Sequence, residues 1–142
     1  MDNIWIEKKW QEDNLIELKI SATSEFVTAY QDCYIQDCVL DDISKKIDAY
    51  IDENGESDCY LEFGNKEGNF TPAFSMKILS KDSSGHVKIE VDMEINDNDL
   101  RMHRCCFYVN TELGLVEMFG RSLRRIITGE IGEEAVLLRQ AR

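Results

Sequence analysis

The chain has 142 residues, a length that suits one domain, and its 43% hydrophobic and 31% charged residues are ordinary proportions for a globular protein. A formal charge of −12 disfavours nucleic-acid binding, because such a field repels a phosphate backbone. Such a charge would speed association with a basic partner, but on charge alone the simpler interpretation is that it keeps the protein soluble. The first residues lack the basic start and apolar run of a secretory signal, and no stretch has the roughly 20 apolar residues of a membrane span, so we expect neither export nor membrane insertion.

Alternating apolar and polar residues predict the first strands between residues 16 and 35. Residues 16–22 alternate strictly, and residues 26–35 are rich in β-branched and aromatic side chains. A helix is predicted next, with Asp37 as its N-cap and its end near Asp52, because apolar residues recur there at helical spacing. Its predicted buried face consists of Val39, Ile43, Ile47, Tyr50 and Ile51.

A second group of strands is predicted between residues 59 and 109. The first strand covers 59–63 and ends in a loop at 64–69, and the next begins just after Pro72. The clearest alternation of the chain runs from His86 to Ile95, and a turn at 96–99 then leads to a strand over 102–109. Connections this short join antiparallel strands, since parallel ones need crossovers of a dozen or more residues. The apolar row of the 86–95 strand is Val87, Ile89, Val91, Met93 and Ile95.

The second helix is predicted from about Thr111 to Thr128, and Gly129 is its expected stop. Residues 130–142 are expected to form a C-terminal tail or a short helix. The apolar run 136–138 within that segment offers a site for self-association. A homo-oligomer that forms through this segment is therefore one of the predicted assemblies. The apolar stripe of the predicted helix is Leu115, Phe119, Leu123 and Ile126.

The predicted fold is therefore a single α+β domain over residues 1–129, with 130–142 as an appendage. It contains a single antiparallel sheet of about six to seven strands. The polar outer row of the 86–95 strand indicates that one side of this sheet faces solvent. Both amphipathic helices are therefore expected to pack on the other side.

The cysteines and histidines do not predict a metal site. Cys33 and Cys38 are separated by four residues, and His103 precedes the adjacent Cys105 and Cys106. Zinc ligands usually come in pairs two to four residues apart across a tight turn, and neighbouring residues of a strand point to opposite faces. Buried, reduced thiols explain the five cysteines better. We accordingly expect a cytoplasmic protein without metal or cofactor.

The acidic residues of the 86–95 strand are the candidate binding site. Glu90, Asp92 and Glu94 share its polar side, with about 7 Å between successive members. Alternating charge is the ordinary appearance of a solvated sheet face, so a ligand-binding acidic patch is the second reading and a pair of catalytic acids the third. Tyr60 and Glu62 share that face if Leu61, between them, points inward. Tyr60 is then the expected aromatic anchor. The predicted partner-binding residues are thus Tyr60, Glu62, Glu90, Asp92 and Glu94.

Two segments carry a resemblance to a known family: Leu61-Glu62-Phe63-Gly64, and Gly85-His86-Val87-Lys88-Ile89-Glu90-Val91 with the strand and amphipathic helix after it. From Cys59 to Ile127 this layout is similar to that of the Wap-type immunity proteins, which accompany polymorphic or contact-dependent bacterial toxins, and of small bacterial families close to them. The resemblance implies a non-enzymatic cytosolic protein that occludes a cognate toxin domain. It supplies no motif residues, so the predicted site depends on alternation and charge alone.

Three functional hypotheses remain open at this point. The first is an immunity-type inhibitor that captures a basic toxin domain on an acidic sheet face. The second is a small enzyme, which would need a pocket that joins His86 or His103 to a carboxylate or a thiol. The third is a structural module that associates with itself through residues 130–142.

Overall fold

The computed structural model of the protein describes residues 2–64, 73–98 and 101–138, without the side chains of 73, 95–98 and 101–103. Residues 65–69 of the predicted loop at 64–69, Pro72 and residue 99 of the predicted turn at 96–99 lie outside the described residues. Two helices, α1 and α2, and eight strands form within them. The strands are β1 (Asn3–Glu12), β2 (Leu15–Thr23), β3 (Thr28–Gln36), β4 (Cys59–Phe63), β5 (Ala73–Ile78), β6 (His86–Asn98), β7 (Arg101–Glu112) and β8 (Glu134–Leu138); the helices are α1 (Asp37–Asp52) and α2 (Leu113–Thr128).

The strands form two antiparallel sheets of four strands each. The first sheet has the order β3-β2-β1-β8, and the second has the order β4-β5-β6-β7. The α+β class is confirmed, but the prediction of a single sheet of six to seven strands is wrong. That prediction lacked β1 and β8, which complete the first sheet and allow it to form apart from the second.

β1 has no clear sequence signal because a lysine occupies one of its inward positions. Ile4, Ile6 and Lys8 all point into the protein and are buried. Lys8 and the adjacent Lys9 break the apolar repeat that marks a strand in a sequence. A β-bulge between Lys8 and Trp10 also shifts the pairing with β2, so the period changes within the strand.

β8 lies where the sequence suggested a tail or short helix over residues 130–142. Residues 134–138 instead form a strand that pairs with β1, with Ala135 opposite Ile6 and Leu137 opposite Ile4. Ala135 and Leu137 are fully buried. A five-residue strand with a partner more than 120 positions away has little local signal of its own, which explains why the sequence pattern left it undetermined.

The helices agree well with the prediction. α1 has the predicted bounds, although Gln36 rather than Asp37 holds the N-cap position, and α2 begins two residues later than predicted. The two helices are in tight contact at Gly120, where an added Cβ would lie 2.7 Å from Cγ2 of Ile47, so a larger residue there would force the packing to shift. Within the described ranges, neither helix combines the length and apolar composition needed to cross a membrane.

One hydrophobic core joins the inner faces of both sheets to the buried stripes of both helices. The prediction that Val87, Ile89, Val91 and Met93 point inward is confirmed, and the side chain of Ile95 lies outside the described residues. Two details of the predicted helix stripes change. Val39 is 38% exposed rather than buried. In the first turn of α2, the fully buried residue is Val116 and not the predicted Leu115.

The Lys8 side chain fastens the first sheet to the C-terminal end of α2. It is only 2% exposed, and Nζ donates hydrogen bonds to the carbonyls of Ile126, Ile127 and Gly129 at 3.0, 3.4 and 2.7 Å. The last carbonyl groups of a helix have no hydrogen-bond partner within the helix, and they form the negative end of its dipole. An ammonium group beside them donates the missing hydrogen bonds and is also attracted by the dipole. Burial lowers the pKa of Lys8, and the nearby Glu133 carboxylate opposes that shift.

Candidate partner-binding faces

Each sheet leaves one face outward, and the predicted site lies on the outward face of the second sheet, hereafter the second-sheet face. All five predicted residues are on it, as the alternation of β4 and β6 requires. Successive rows of cross-strand neighbours bring them together in space. The rows are Tyr60–Lys77–Glu90–Tyr108, Glu62–Ser75–Asp92–Cys106 and Glu94–Arg104.

The central carboxylate of this face is engaged within the protein. Asp92 is only 8% exposed, and Arg104 donates to it twice, from Nε to Oδ1 at 3.2 Å and from a terminal nitrogen to Oδ2 at 2.7 Å. A paired, charge-assisted contact of this kind is among the stronger polar interactions in proteins. Asp92 therefore stabilises the β6–β7 pairing and offers little charge to a partner.

Two further acids of the second-sheet face, Glu62 and Glu90, also have internal partners. The Tyr60 hydroxyl donates to Glu62 at 2.8 Å, and burial together with this hydrogen bond raises the pKa of Tyr60. The Tyr108 hydroxyl donates to Glu90 at 3.5 Å. Lys77 is paired with Glu90 in the same row, and its ammonium lies 3.9 Å from Asp58. The described outward side chains of this sheet thus include five carboxylates and three basic groups, a difference of two negative charges: Glu62, Glu90, Asp92, Glu94 and Glu112 against Lys77, Lys88 and Arg104.

The outward face of the first sheet, hereafter the first-sheet face, has a different composition. Trp5, Tyr30 and Tyr34 are 40%, 68% and 46% exposed on it, and Trp10 is partly exposed. The Trp10 and Tyr34 rings meet edge to face, with centroids 6.3 Å apart. The rows of this face are Tyr30–Ser21–Trp5–Val136, Asp32–Lys19–Glu7–Glu134 and Tyr34–Glu17–Trp10.

The acids of the first-sheet face are not bonded to other side chains. Among the described residues, no hydrogen bond or ion pair engages the carboxylates of Glu7, Glu17, Asp32 or Glu134. Lys19 lies among them, and Lys9 is exposed at the bulge in β1. This face therefore presents four open carboxylates beside tryptophan and tyrosine rings, whereas on the second-sheet face Glu62, Glu90 and Asp92 are engaged by tyrosines and by Arg104.

Sequence reasoning missed the first-sheet face because it missed β1. Once Ile4 and Ile6 are placed inward, the alternation directs Trp5 and Glu7 outward. The signal in β3 was present in the sequence, because Tyr30, Asp32 and Tyr34 alternate with buried residues. Without β1, however, that row could not be assigned to a surface with other aromatic residues.

The cysteines occupy unrelated positions. Cys33 and Cys59 are buried, Cys38 is exposed on α1, and burial raises the pKa of Cys33 to about 12. Cys105 packs against the core while Cys106 is exposed, so the two adjacent thiols do point to opposite faces. Among the described residues, no group of three or more candidate ligands could hold a metal ion. The side chain of His103 lies outside that description.

A pocket of about 360 Å³ lies beside His86, at the end of β6. Nδ1 of His86 is 3.2 Å from Oδ2 of Asp82, and Lys88 also lines the pocket. Backbone N–H groups of His86 and Ser84 donate to Asp82, which lowers the pKa of its carboxyl group. Thr111 belongs to the lining too, and its buried hydroxyl has no hydrogen-bond partner among the described residues.

Comparisons with known proteins found no matching family model, no matching curated protein and no matching solved structure. The similarity to Wap-type immunity proteins therefore remains a prediction from the sequence layout.

Proposed function

We propose that this protein is a non-enzymatic binding domain, an immunity-type inhibitor that covers a basic toxin domain in the cytoplasm. The first-sheet face supports this best, because Trp5, Tyr30 and Tyr34 stand exposed there among open carboxylates. Tryptophan and tyrosine are enriched among the residues that carry most of the binding energy at protein interfaces. The net charge of −12 would accelerate encounter with a basic partner.

Inhibition would occur by occlusion, without chemistry. The partner's basic surface would lie across the four strands of the first sheet, with the aromatic rings as apolar anchors and the carboxylates as a charged surround. The acids of the second-sheet face contribute less in this proposal, since Arg104 and two tyrosines already engage three of them.

The experiment begins with the genes on either side of the coding sequence. Each product is expressed in bacteria with and without this protein. We expect one neighbour to encode a basic domain that arrests growth, and we expect this protein to restore growth and to co-purify with that domain. A set of neighbours with no toxic product that this protein binds would contradict the proposal.

The complex then allows the two faces to be compared by matched double variants. Trp5→Ala with Tyr30→Ala should weaken binding at least about thirtyfold, as expected for the loss of aromatic anchors. Glu62→Gln with Glu90→Gln on the second-sheet face should weaken it by about threefold or less, as is usual for exposed charges. The opposite ranking, in variants with unchanged circular dichroism, would place the contact at the residues predicted from the sequence.

A small enzyme is the second candidate function, and the pocket beside His86 is the observation that favours it. A histidine oriented by a carboxylate is an arrangement that general bases use, and the 3.2 Å contact with Asp82 meets the distance requirement. His86→Ala distinguishes the two functions. An inhibitor would keep both binding and growth rescue, whereas an enzyme that disarms its target would still bind but no longer rescue.

A further inference from the structure

We propose that a pocket at one end of the first-sheet face binds the guanidinium group of an arginine side chain. The pocket has a volume of about 380 Å³ and lies where β1 turns into β2. It is lined by Trp10, Glu12, Asp13, Asn14, Leu15 and Gln36. The inference deepens the proposed function by naming the group of the basic partner that this face would recognise.

The charges of the pocket select a cation. Glu12 and Asp13 line it, and of the described residues no basic side chain does. Two other pockets among the described residues differ in this respect: Lys88 accompanies Asp82 beside His86, and two lysines accompany the acids in the groove between α1 and β4. The carboxylates of Glu12 and Asp13 form no hydrogen bond or ion pair within the described part of the chain, so both remain available to a ligand.

The aromatic wall favours a planar cation. Trp10 lines the pocket, and its edge-to-face contact with Tyr34 holds the indole ring in place. Cations bind the faces of tryptophan more strongly than those of other aromatic residues, and a guanidinium group can also stack on the ring. Leu15, 38% exposed, offers an apolar surface for the aliphatic stem of an arginine side chain.

The backbone around the pocket is already shaped by the β1–β2 turn. Asp13 adopts a left-handed conformation with φ of 52°, and its carbonyl accepts a hydrogen bond from the Gln11 side chain at 3.2 Å. The carbonyl of Asn14 accepts from the backbone N–H of Asp37 at 2.8 Å, which ties the turn to the start of α1. A turn with both of these contacts can present its carboxylates without a large rearrangement.

The test uses blocked amino acids, so that only the side chain differs in charge. Nα-acetyl-arginine methylamide is added to the ¹⁵N-labelled protein, and the two indole N–H signals, assigned with Trp5→Phe and Trp10→Phe, are followed by NMR. We expect the Trp10 signal to shift and saturate with a dissociation constant of about 1–30 mM, the range for a fragment of this size, while the Trp5 signal stays in place. The neutral isostere Nα-acetyl-citrulline methylamide should shift neither signal, and the lysine derivative should bind more weakly than the arginine derivative.

Variants of the pocket complete the test. Glu12→Gln with Asp13→Asn should weaken binding about fivefold, and asparagine suits the left-handed conformation at position 13, so the turn should be kept. Glu25→Gln with Glu56→Gln removes the same charge from exposed positions elsewhere and should change binding less than twofold. The inference is wrong if the arginine derivative leaves the Trp10 signal unchanged, if citrulline shifts it equally, or if both double variants weaken binding alike.

The outcome is separable from that of the proposed function. Binding of the arginine derivative without any toxin partner would leave the pocket assigned and the immunity role rejected. A toxin complex that forms equally well with the Glu12→Gln, Asp13→Asn variant would leave the immunity role in place and remove the pocket from it.

Discussion

The two outer sheet faces carry similar numbers of acidic residues, yet these acids have different surroundings. On the second-sheet face, Asp92 is buried under a double contact with Arg104, and Glu62 accepts a hydrogen bond from Tyr60. On the first-sheet face, Glu7 and Glu17 have no such partner among the described residues. Carboxylates that hold their own sheet together are poor anchors for another protein, since a partner would have to compete with contacts that already exist.

This comparison teaches that a row of acids is not by itself a binding surface. What distinguishes the first-sheet face is that its exposed rings, which include Trp5, stand beside carboxylates without a side-chain partner. The exposed rings of the second-sheet face, Tyr60 and Tyr108, instead bond the acids next to them. The first sheet is fixed from within, by buried apolar residues and by Lys8. Three substitutions test this division of roles, beginning with the largest expected effect.

Lys8→Met should lower the free energy of unfolding by about 3 kcal/mol, because one buried and two partly buried carbonyls at the end of α2 lose a charged donor. Lys9→Met, one position along at an exposed site, should change it by less than about 0.5 kcal/mol. Urea unfolding measures both. Equal effects of the two variants would mean that Lys8 does not fasten the first sheet to α2.

Asp92→Asn should lower the free energy of unfolding by about 1–2 kcal/mol, since Arg104 loses a charge-assisted pair that is partly screened by solvent. Glu17→Gln on the first-sheet face should be within about 0.5 kcal/mol of the original protein. Thermal unfolding of the two variants side by side makes the comparison direct. A cost for Glu17→Gln as large as that for Asp92→Asn would show that acids on both faces stabilise the fold.

The reactivity of the Cys106 thiol measures the electrostatic effect of the carboxylates on the second-sheet face. Burial, and then the carboxylates of Asp92 and Glu90, raise its pKa, so less thiolate forms at a given pH. We expect Glu90→Gln to accelerate its alkylation by iodoacetamide at pH 8 by about two- to threefold, with Cys38 as an internal standard that does not change. Peptide mass spectrometry gives both rates. No change at Cys106 would mean that Arg104 already cancels the field there.

Much of the fold could be predicted from the sequence because its pattern is local. The alternation over 86–95 and the helical repeats over 37–52 and 113–128 each specify which side chains point inward. β1 and β8 could not be predicted in the same way. Lys8 points inward because its ammonium group binds carbonyls at the end of α2. Ala135 and Leu137 point inward because β1 lies beside them. These contacts join distant parts of the chain, and a periodicity within ten residues does not contain them.

The candidate site shows the same limit. The alternation of apolar and polar residues predicted that Tyr60, Glu62 and Glu90 share one face of the sheet, and they do so in the structure. The pairing of Asp92 with Arg104 depends on the register of β6 with β7, which includes an irregularity between Asn96 and Asn98. That register determines which acids are neutralised, and therefore which face remains available to a partner.

The pairing of β1 with β8 also constrains the order of folding during synthesis. β1 is an interior strand of its sheet, yet one of its two neighbours is translated more than 120 residues later, with Asn3 opposite Leu138. While the ribosome is still adding residues 129–138, the β1 edge offers unpaired backbone groups and the Lys8 ammonium has not met its carbonyls. The first sheet can thus be completed only after the residues of α2 have been synthesised. Any segment fused before residue 3 or after residue 138 leaves the protein at the same end of the same two strands.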